Sequence, residues 1–382
     1  MHSLHLENPA VEMNQAQIDS RKELAHFIEN GSIRMTDVKQ CPSCGFNQQD
    51  TIVHSDRHGI GVDAKLCHQC GLVFTSPALN EDSLKFFYEK IYAPLNGFAS
   101  DSKHLFNPVQ GENIYNYTLE FCMNLKRIVD IGCGAGDVVK FLAQKYPDSE
   151  VLGADFNQDF VNSYESGPNH KLIAGGIDDL IALNVKYDLI ILSHVLEHVT
   201  DIESFVKKLQ KICHKKTLLY IEVPGLFGFF RDSRFYDFNF SRFHTLAHNY
   251  NFTLSSLERF LKKCGLKMLK GDEFIRSIFE FSDDDQSKSP EYSKVKLFLE
   301  KTLPVWKDKF SNKIQEYTLS PLPKMGYPSK EIAFSQLIQS NRQLQNDLKR
   351  TKTELDYIKL HLFKYVVKRV KQYISFKKGN KE

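Results

Sequence analysis

An α/β fold with a parallel central sheet, preceded by a small cysteine-bearing ribbon and followed by a helical, coiled-coil extension, is what this chain of 382 residues predicts. Three observations carry the prediction. Two Cys-x-x-Cys pairs, Cys41/Cys44 and Cys67/Cys70, lie close together near the N-terminus. From Lys126, apolar strand-like runs alternate with helical stretches, the first two joined by a glycine-rich turn. From Phe334, apolar residues recur at spacings of three and four.

The composition is that of an ordinary folded protein, 42% hydrophobic and 25% charged, and a net charge of +3 is too small to argue for nucleic acid across the whole chain. No apolar run reaches the ~18 residues of a membrane-spanning helix. Residues 1–40 read as an N-terminal helical segment, and "MHSLHLENPAVEMNQ" has neither the basic start nor the apolar stretch of a secretory signal. Eight cysteines without such a signal point to a reducing compartment, so the expected location is cytoplasmic.

Residues 41–80 read as a zinc ribbon. Each cysteine pair is followed by glycine (Gly45, Gly71), which lets the backbone turn tightly and aim amides at sulfur. Four thiolates at Cys41, Cys44, Cys67 and Cys70 complete a tetrahedral site with no open position, so the zinc is expected to be structural. A redox dithiol would come as one pair at a helix start. His54, His58 and His68 are spare ligands nearby, while Cys122, Cys133, Cys213 and Cys264 sit in apolar surroundings and read as packed.

Residues 81–280 hold the alternating segment. Five strand-like runs are expected, in "KRIVDIGCGAG", "SEVLGADFN", "KLIAGGIDDL", "YDLIILSHVLEHV" and "KTLLYIEVPG", with a helix over Asp201–His214. Runs this apolar indicate a parallel sheet covered on both faces, whose ligand lies beyond the carboxyl ends of the strands. There, Gly132, Gly134 and Gly136 let the backbone approach a ligand, and the next helix offers its amides. Asp155 ends the second strand, where a carboxylate can accept two ribose hydroxyls. The spacing G-x-G-x-G lacks the later glycine of the dinucleotide fingerprint. Asp130, just before the loop, would repel a pyrophosphate and attract an ammonium group.

"VDIGCGAG", "VLGADFN" and "YDLIILSHVLEHVTD" resemble the successive motifs of class I S-adenosylmethionine-dependent methyltransferases, over Val129 to Leu269. The resemblance implies a Rossmann-like domain in which Asp130 and the Gly132–Gly136 loop hold the methionine part of the cofactor. It implies that Asp155 holds the ribose hydroxyls and that Phe156 lies against the adenine. Ile177 and Asp178 match the adenine-edge turn, with Gly176 where many relatives carry an acid. Ser193 and His194 would line the cofactor through their backbone. The ribbon, "CGLVF" and the tyrosine-bearing "EDSLKFFYEKIY" resemble a subgroup that includes sugar methyltransferases, in which the ribbon packs over the substrate cleft.

"HVLEHV" also reads as an inverted metalloprotease motif through His194, Glu197 and His198, but it stands at a strand end among methyltransferase motifs. Downstream, "RFHTLAHNYNFTLSSLERF" resembles the segment whose histidine, here His248, faces the methyl acceptor. A neutral imidazole there can take a hydroxyl proton, or the residue can instead cap the next helix. Arg242 and His244 are candidates for a phosphate or carboxylate on the substrate, and Tyr88 and Tyr92 for closing the cleft, although tyrosines at helical spacing also pack. Ala247 stands where ketosugar C-methyltransferases of the subgroup carry glutamate, and their second Rossmann-like domain has no counterpart after Phe281. Transfer to a sugar or sugar-phosphate hydroxyl in surface-glycan synthesis is therefore expected. The alternatives are C-methylation of a nucleotide-linked ketosugar or methylation of RNA.

Residues 281–330 read as a linker with helices, opened by the polar "FSDDDQSKSPEYS". Residues 331–382 read as a coiled coil with a basic amphipathic tail. A seam from Phe334 to Leu362, with Asn341 as its polar position, predicts a homodimer, or else one helix lying on its own domain. The lysine-rich "YIKLHLFKYVVKRVKQYISFKK" fits an anionic membrane surface at the inner face. It carries no aromatic RNA-binding motif, so nucleic acid is the less favoured partner.

Overall fold

The computed structural model describes residues 5–97, 105–227, 236, 239–273, 275–282, 292–297 and 299. The expected coiled coil and basic tail lie outside them. The N-terminal helical segment is present as Gln15–Glu29, opened by an Asn14 side chain that accepts from the Gln17 amide while Gln17 bonds back to Asn14.

The strands, in chain order, are β1 (Met35–Thr36), β2 (Gln49–Val53), β3 (Asp63–Cys67), β4 (Val73–Ser76) and β5 (Ala78–Leu79) in the N-terminal part. Next come β6 (Arg127–Ile131), β7 (Glu150–Asp155), β8 (His170–Ala174), β9 (Tyr187–Ser193) and β10 (Cys213–Glu222). The last three are β11 (Tyr250–Asn251), β12 (Leu266–Gly271) and β13 (Arg276–Phe281). The large sheet runs β12-β13-β10-β9-β6-β7-β8, with β8, β7, β6, β9 and β10 parallel. All five expected strands are therefore in it. The sheet is nevertheless mixed, because β12 and β13 add an antiparallel pair at the β10 edge. The turn from Asp272 to Ile275 is too short for a crossover, so the chain can only return antiparallel. The helix expected over Asp201–His214 stops at Gln210, and Cys213 already begins β10.

Chain order reverses between β6 and β9, which opens a crevice at the carboxyl ends of those strands. Side chains alternate across the sheet into two cores. Ile190 and Leu192 of β9 join Val129, Leu219 and Phe260 on one face, while Leu189 and Ile191 join Ile128, Leu142 and Tyr220 on the other. Ile190 and Ile191 are fully buried, and truncating either to alanine should cost about 2–5 kcal/mol.

The ribbon is built into this body. Its sheet has the order β11-β4-β3-β2, so the segment after residue 249 supplies an edge strand to it. The Arg57 amide donates to His244 O at 2.9 Å and the Leu246 amide to the buried Asp56 carboxylate at 3.1 Å. The ribbon and the 244–251 segment thus share one hydrogen-bond network.

Candidate functional site

The four ribbon cysteines are reduced and clustered. Cys41 and Cys70 sulfurs lie 3.5 Å apart, as do those of Cys44 and Cys67, and all four fall within 4.8 Å of one another. Four sulfurs at ~2.3 Å from a tetrahedral ion would stand about 3.8 Å apart, so the set fits a metal ion. The two knuckles repeat the same turn. Gly45 and Gly71, both at positive φ, donate to Cys41 O and Cys67 O, and Cys41 and Cys67 amides donate to Phe46 O and Leu72 O. The helix Leu254–Lys263 covers them, with Arg259 donating to Cys70 O at 2.6 Å and Lys263 to Ser43 O. Both cations bond backbone carbonyls of the knuckles and so tie this helix to the ribbon.

The glycine loop follows β6. Gly132, Gly134 and Gly136 all have positive φ (73°, 53° and 82°), which only glycine adopts without strain. Asp155 fixes the loop: its carboxylate accepts from the Gly134 amide at 2.8 Å and from the Asn157 amide at 2.8 Å. Asp130 is 3% exposed, and no side-chain hydrogen bond to it forms among the described residues. Burial, reinforced by the nearby Asp155 charge, pushes its pKa up to about 8. A buried carboxyl without a side-chain partner suits a ligand that brings its own cation.

Phe156, 72% exposed, leans over Gly176, where an added Cβ would meet its ring at 2.6 Å. That ring takes the space an acid at position 176 would need. Ile177 and Asp178 begin the helix Ile177–Ala182. Ile177 is buried, but the Asp178 carboxylate turns outward to Lys208 at 2.7 Å, and Asp179 instead accepts from the Gly176 amide. Asp178 can therefore meet a cofactor only through its backbone.

At the tip of β9, the Ser193 hydroxyl meets Gln110 Nε2 at 3.0 Å and the Glu222 carboxylate at 3.4 Å. The His194 amide donates to Glu222 O, and its backbone is left-handed at φ 56°. Burial opposes charge on the His194 ring, but the Glu197 carboxylate, 3.4 Å from Nδ1, and the field of Glu222 outweigh it and raise the pKa. Glu222, at the end of the expected fifth strand, and Gln110, outside every motif, thus meet at this tip. Gln110 comes from the helix Val109–Thr118, which no motif marks.

The acceptor side converges just beyond that tip. Tyr88 OH lies 2.6 Å from His198 Nδ1, Tyr88 and Tyr92 rings stand 4.8 Å apart, and the His198 and His248 rings 4.9 Å apart. His248 is held from both sides. Its carbonyl accepts from Thr75 Oγ1 of β4 at 2.5 Å, and its neighbour Asn249 bonds Glu197 O and His198 O. Its Nδ1 is buried with no hydrogen-bond partner. Burial, with the charges of His198 and Arg57 adding to it, pushes its pKa well below the ordinary value. Ala247 is buried and offers only its carbonyl, 2.8 Å from His198 Nδ1.

His244 departs from the expected role. It is fully buried, stacked on Phe240, with neither ring nitrogen bonded, and burial lowers its pKa to about 4. It stands inside the wall rather than on its surface, so the structure gives it no direct contact with a substrate. Arg242 is partly exposed, with Nε buried and unbonded. Arg57 of the ribbon, bonded to Asn96 at 3.1 Å, acts electrostatically on both Tyr92 and His248 and is the basic residue the motifs missed.

Residues 104–270 match the protein family described as a methyltransferase domain. A probable (S)-tetrahydroprotoberberine N-methyltransferase 2 of Papaver bracteatum is 32% identical over 101 residues, which are 25% of this chain and 28% of the relative. A ubiquinone biosynthesis O-methyltransferase of Agrobacterium fabrum is 30% identical over 131 residues, 31% of this chain and 52% of the relative. The chain thus spans about a quarter to a half of the length of these curated relatives. Among solved structures, the plantazolicin methyltransferase BpumL with a triazolic desmethylPZN analog and SAH aligns at 19% identity and a TM-score of 0.36, covering 44% of this chain and 68% of that one. No helix among the described residues is long and apolar enough to cross a membrane.

Proposed function

We propose, from the premise that residues 104–270 are a class I S-adenosylmethionine-dependent methyltransferase domain, that the protein transfers a methyl group to a hydroxyl of a sugar or sugar phosphate. The observation that carries the acceptor reading is His248. Its ring stands just beyond the carboxyl end of β9, with a buried nitrogen that nothing in the protein engages. Ala247 supplies no carboxylate where the ketosugar C-methyltransferases carry glutamate, which favours oxygen as the nucleophile. Arg57 adds positive charge suited to a phosphate-bearing acceptor.

Bound S-adenosylmethionine would supply an electrophilic methyl group. Asp130 would pair with its ammonium group, Asp155 would accept the ribose hydroxyls, and Phe156 would cover the adenine, with Ser193 and His194 lining the same crevice. His248 accepts the proton that the acceptor hydroxyl loses. Tyr88 and Tyr92 close the cleft from the ribbon side, and zinc in the four-cysteine cluster holds that side in place. The test is methyl transfer from labelled cofactor to a panel of sugar phosphates, nucleotide sugars and RNA, with the product located by mass spectrometry. Label on a sugar oxygen is expected; label on carbon, or on RNA alone, would replace this reading with one of its rivals.

Two expectations concern the cofactor. Asp155→Ala should weaken binding by ~1–3 kcal/mol, because charge-assisted contacts vanish and the Gly134 amide loses its anchor. Calorimetry showing unchanged affinity would take Asp155 out of the site. Asp130 gives a pH signature. Without ligand it is largely protonated at neutral pH, since its pKa is about 8. An ammonium partner favours the carboxylate, so binding releases a proton and affinity should rise with pH, by up to about tenfold per unit, levelling above pH 8. Calorimetry in buffers of different ionisation enthalpy measures that proton, and Asp130→Asn should abolish the release.

A further inference from the structure

We propose that Glu197, His198 and His248 form a binding site for one divalent transition-metal cation on the acceptor side of the cleft. One carboxylate oxygen and one nitrogen from each ring lie within 4.8 Å of one another. Glu197 is 1% exposed, yet neither carboxylate oxygen has a hydrogen-bond partner, and His248 Nδ1 is likewise buried and unpartnered. Buried carboxylates are costly unless paired or ligating.

The tautomer of His198 sharpens the argument. Its Nδ1 lies 2.8 Å from Ala247 O, which can only accept, and 2.6 Å from the Tyr88 hydroxyl, so the tautomer that satisfies Ala247 O carries its proton on Nδ1. In the neutral ring the lone pair is then on Nε2, which faces Glu197 Oε1 at 3.7 Å. Two acceptors facing each other repel unless a cation lies between them. A ligating histidine whose other ring N–H is donated to a carbonyl is the usual outer-sphere arrangement of a metal site. The Tyr88 hydroxyl, 2.6 Å from the same Nδ1, adds to that outer layer. His194 Nδ1, 3.4 Å from Glu197 Oε1 on a half-exposed ring, stands at the edge of the cluster.

The ligands are also held in place. Asn249 ties residues 197 and 198 to the His248 segment through Glu197 O and His198 O, and Thr75 fixes the His248 carbonyl. Two imidazoles and one carboxylate suit manganese, iron, cobalt or zinc and leave coordination positions open. On the reading of a hydroxyl acceptor given above, those positions take acceptor oxygens. A bound hydroxyl has a lowered pKa, its proton leaves to solvent, and His248 serves as ligand in place of proton acceptor.

The test uses full-length protein with its cysteine cluster zinc-loaded, titrated with manganese(II) and followed by the loss of the free-ion EPR signal, without cofactor or acceptor. Manganese is a poor partner for thiolates, so the ribbon does not compete. About one ion per chain is expected for the wild type, with affinity at least ~10-fold weaker in Glu197→Gln and in His248→Ala. Glu197→Gln keeps the shape of the buried side chain; should it misfold, His248→Ala decides alone. No binding by the wild type, as when a protonated His198 satisfies Glu197, or equal binding by the variants, overturns the proposal. Because no methyl transfer is measured, that outcome leaves the methyltransferase reading standing.

Discussion

Cys67→Ser protein, purified under reducing conditions, should hold about one zinc ion per chain fewer than the wild type. Cys67 is fully buried at the end of β3, its sulfur 3.5 Å from Cys44. A serine hydroxyl stays protonated and is a poor ligand in a soft four-sulfur site, and three thiolates leave the tetrahedron incomplete. The loss should spread to catalysis. β3 pairs with β4, β4 carries Thr75, and Thr75 holds the His248 carbonyl. Turnover should therefore fall together with zinc, while the glycine loop, built from β6 and β7, keeps its cofactor affinity. Metal analysis, calorimetry and a turnover assay on one preparation separate these effects. Finding no zinc in freshly purified, reduced wild-type protein would defeat the metal assignment. Full turnover in the zinc-free variant would defeat the coupling.

His248→Ala should lower turnover by ~100-fold or more with cofactor affinity intact. The ring is the group nearest the acceptor side that has an unengaged nitrogen, and the fold fixes it through backbone bonds that alanine retains. Alanine therefore removes the imidazole and leaves the Thr75 and Asn249 contacts in place. That separates chemistry from support. A ring that only buttresses the following helix would cost thermal stability and spare specific activity. A stable variant with near wild-type turnover would remove His248 from both roles. The size of the loss tests whether the ring is needed, and manganese binding tests whether it is needed as a ligand.

The two cysteine pairs, the glycine loop and the acid ending β7 were legible because each is a local device. A Cys-x-x-Cys-Gly turn, a run of positive-φ glycines or an apolar strand is set by neighbours in the chain. The antiparallel β12–β13 pair was less legible. "GLKMLKGDEFIRSIFEF" alternates weakly, and what makes it two strands is the β10 edge it joins. Asp178 shows the limit of motif matching. The motif marks its position, but the side chain follows Lys208 on a neighbouring helix.

The sequence by itself determined the five parallel strands, the cysteine set, and the positive-φ glycine loop with the acid that anchors it. It did so because those features depend on residue type and spacing within a few turns of chain. Only the tertiary structure decided what surrounds His248 and His244. It brought Arg57 of the N-terminal part within the field of His248, set Tyr88 on His198, and put Gln110 on Ser193, 83 residues away. It also drew His244 into the core and left Glu197 buried without a hydrogen bond. The reason is physical: these side chains answer to burial and charge from elements that meet only when β11 joins the ribbon sheet, and no local spacing encodes that meeting.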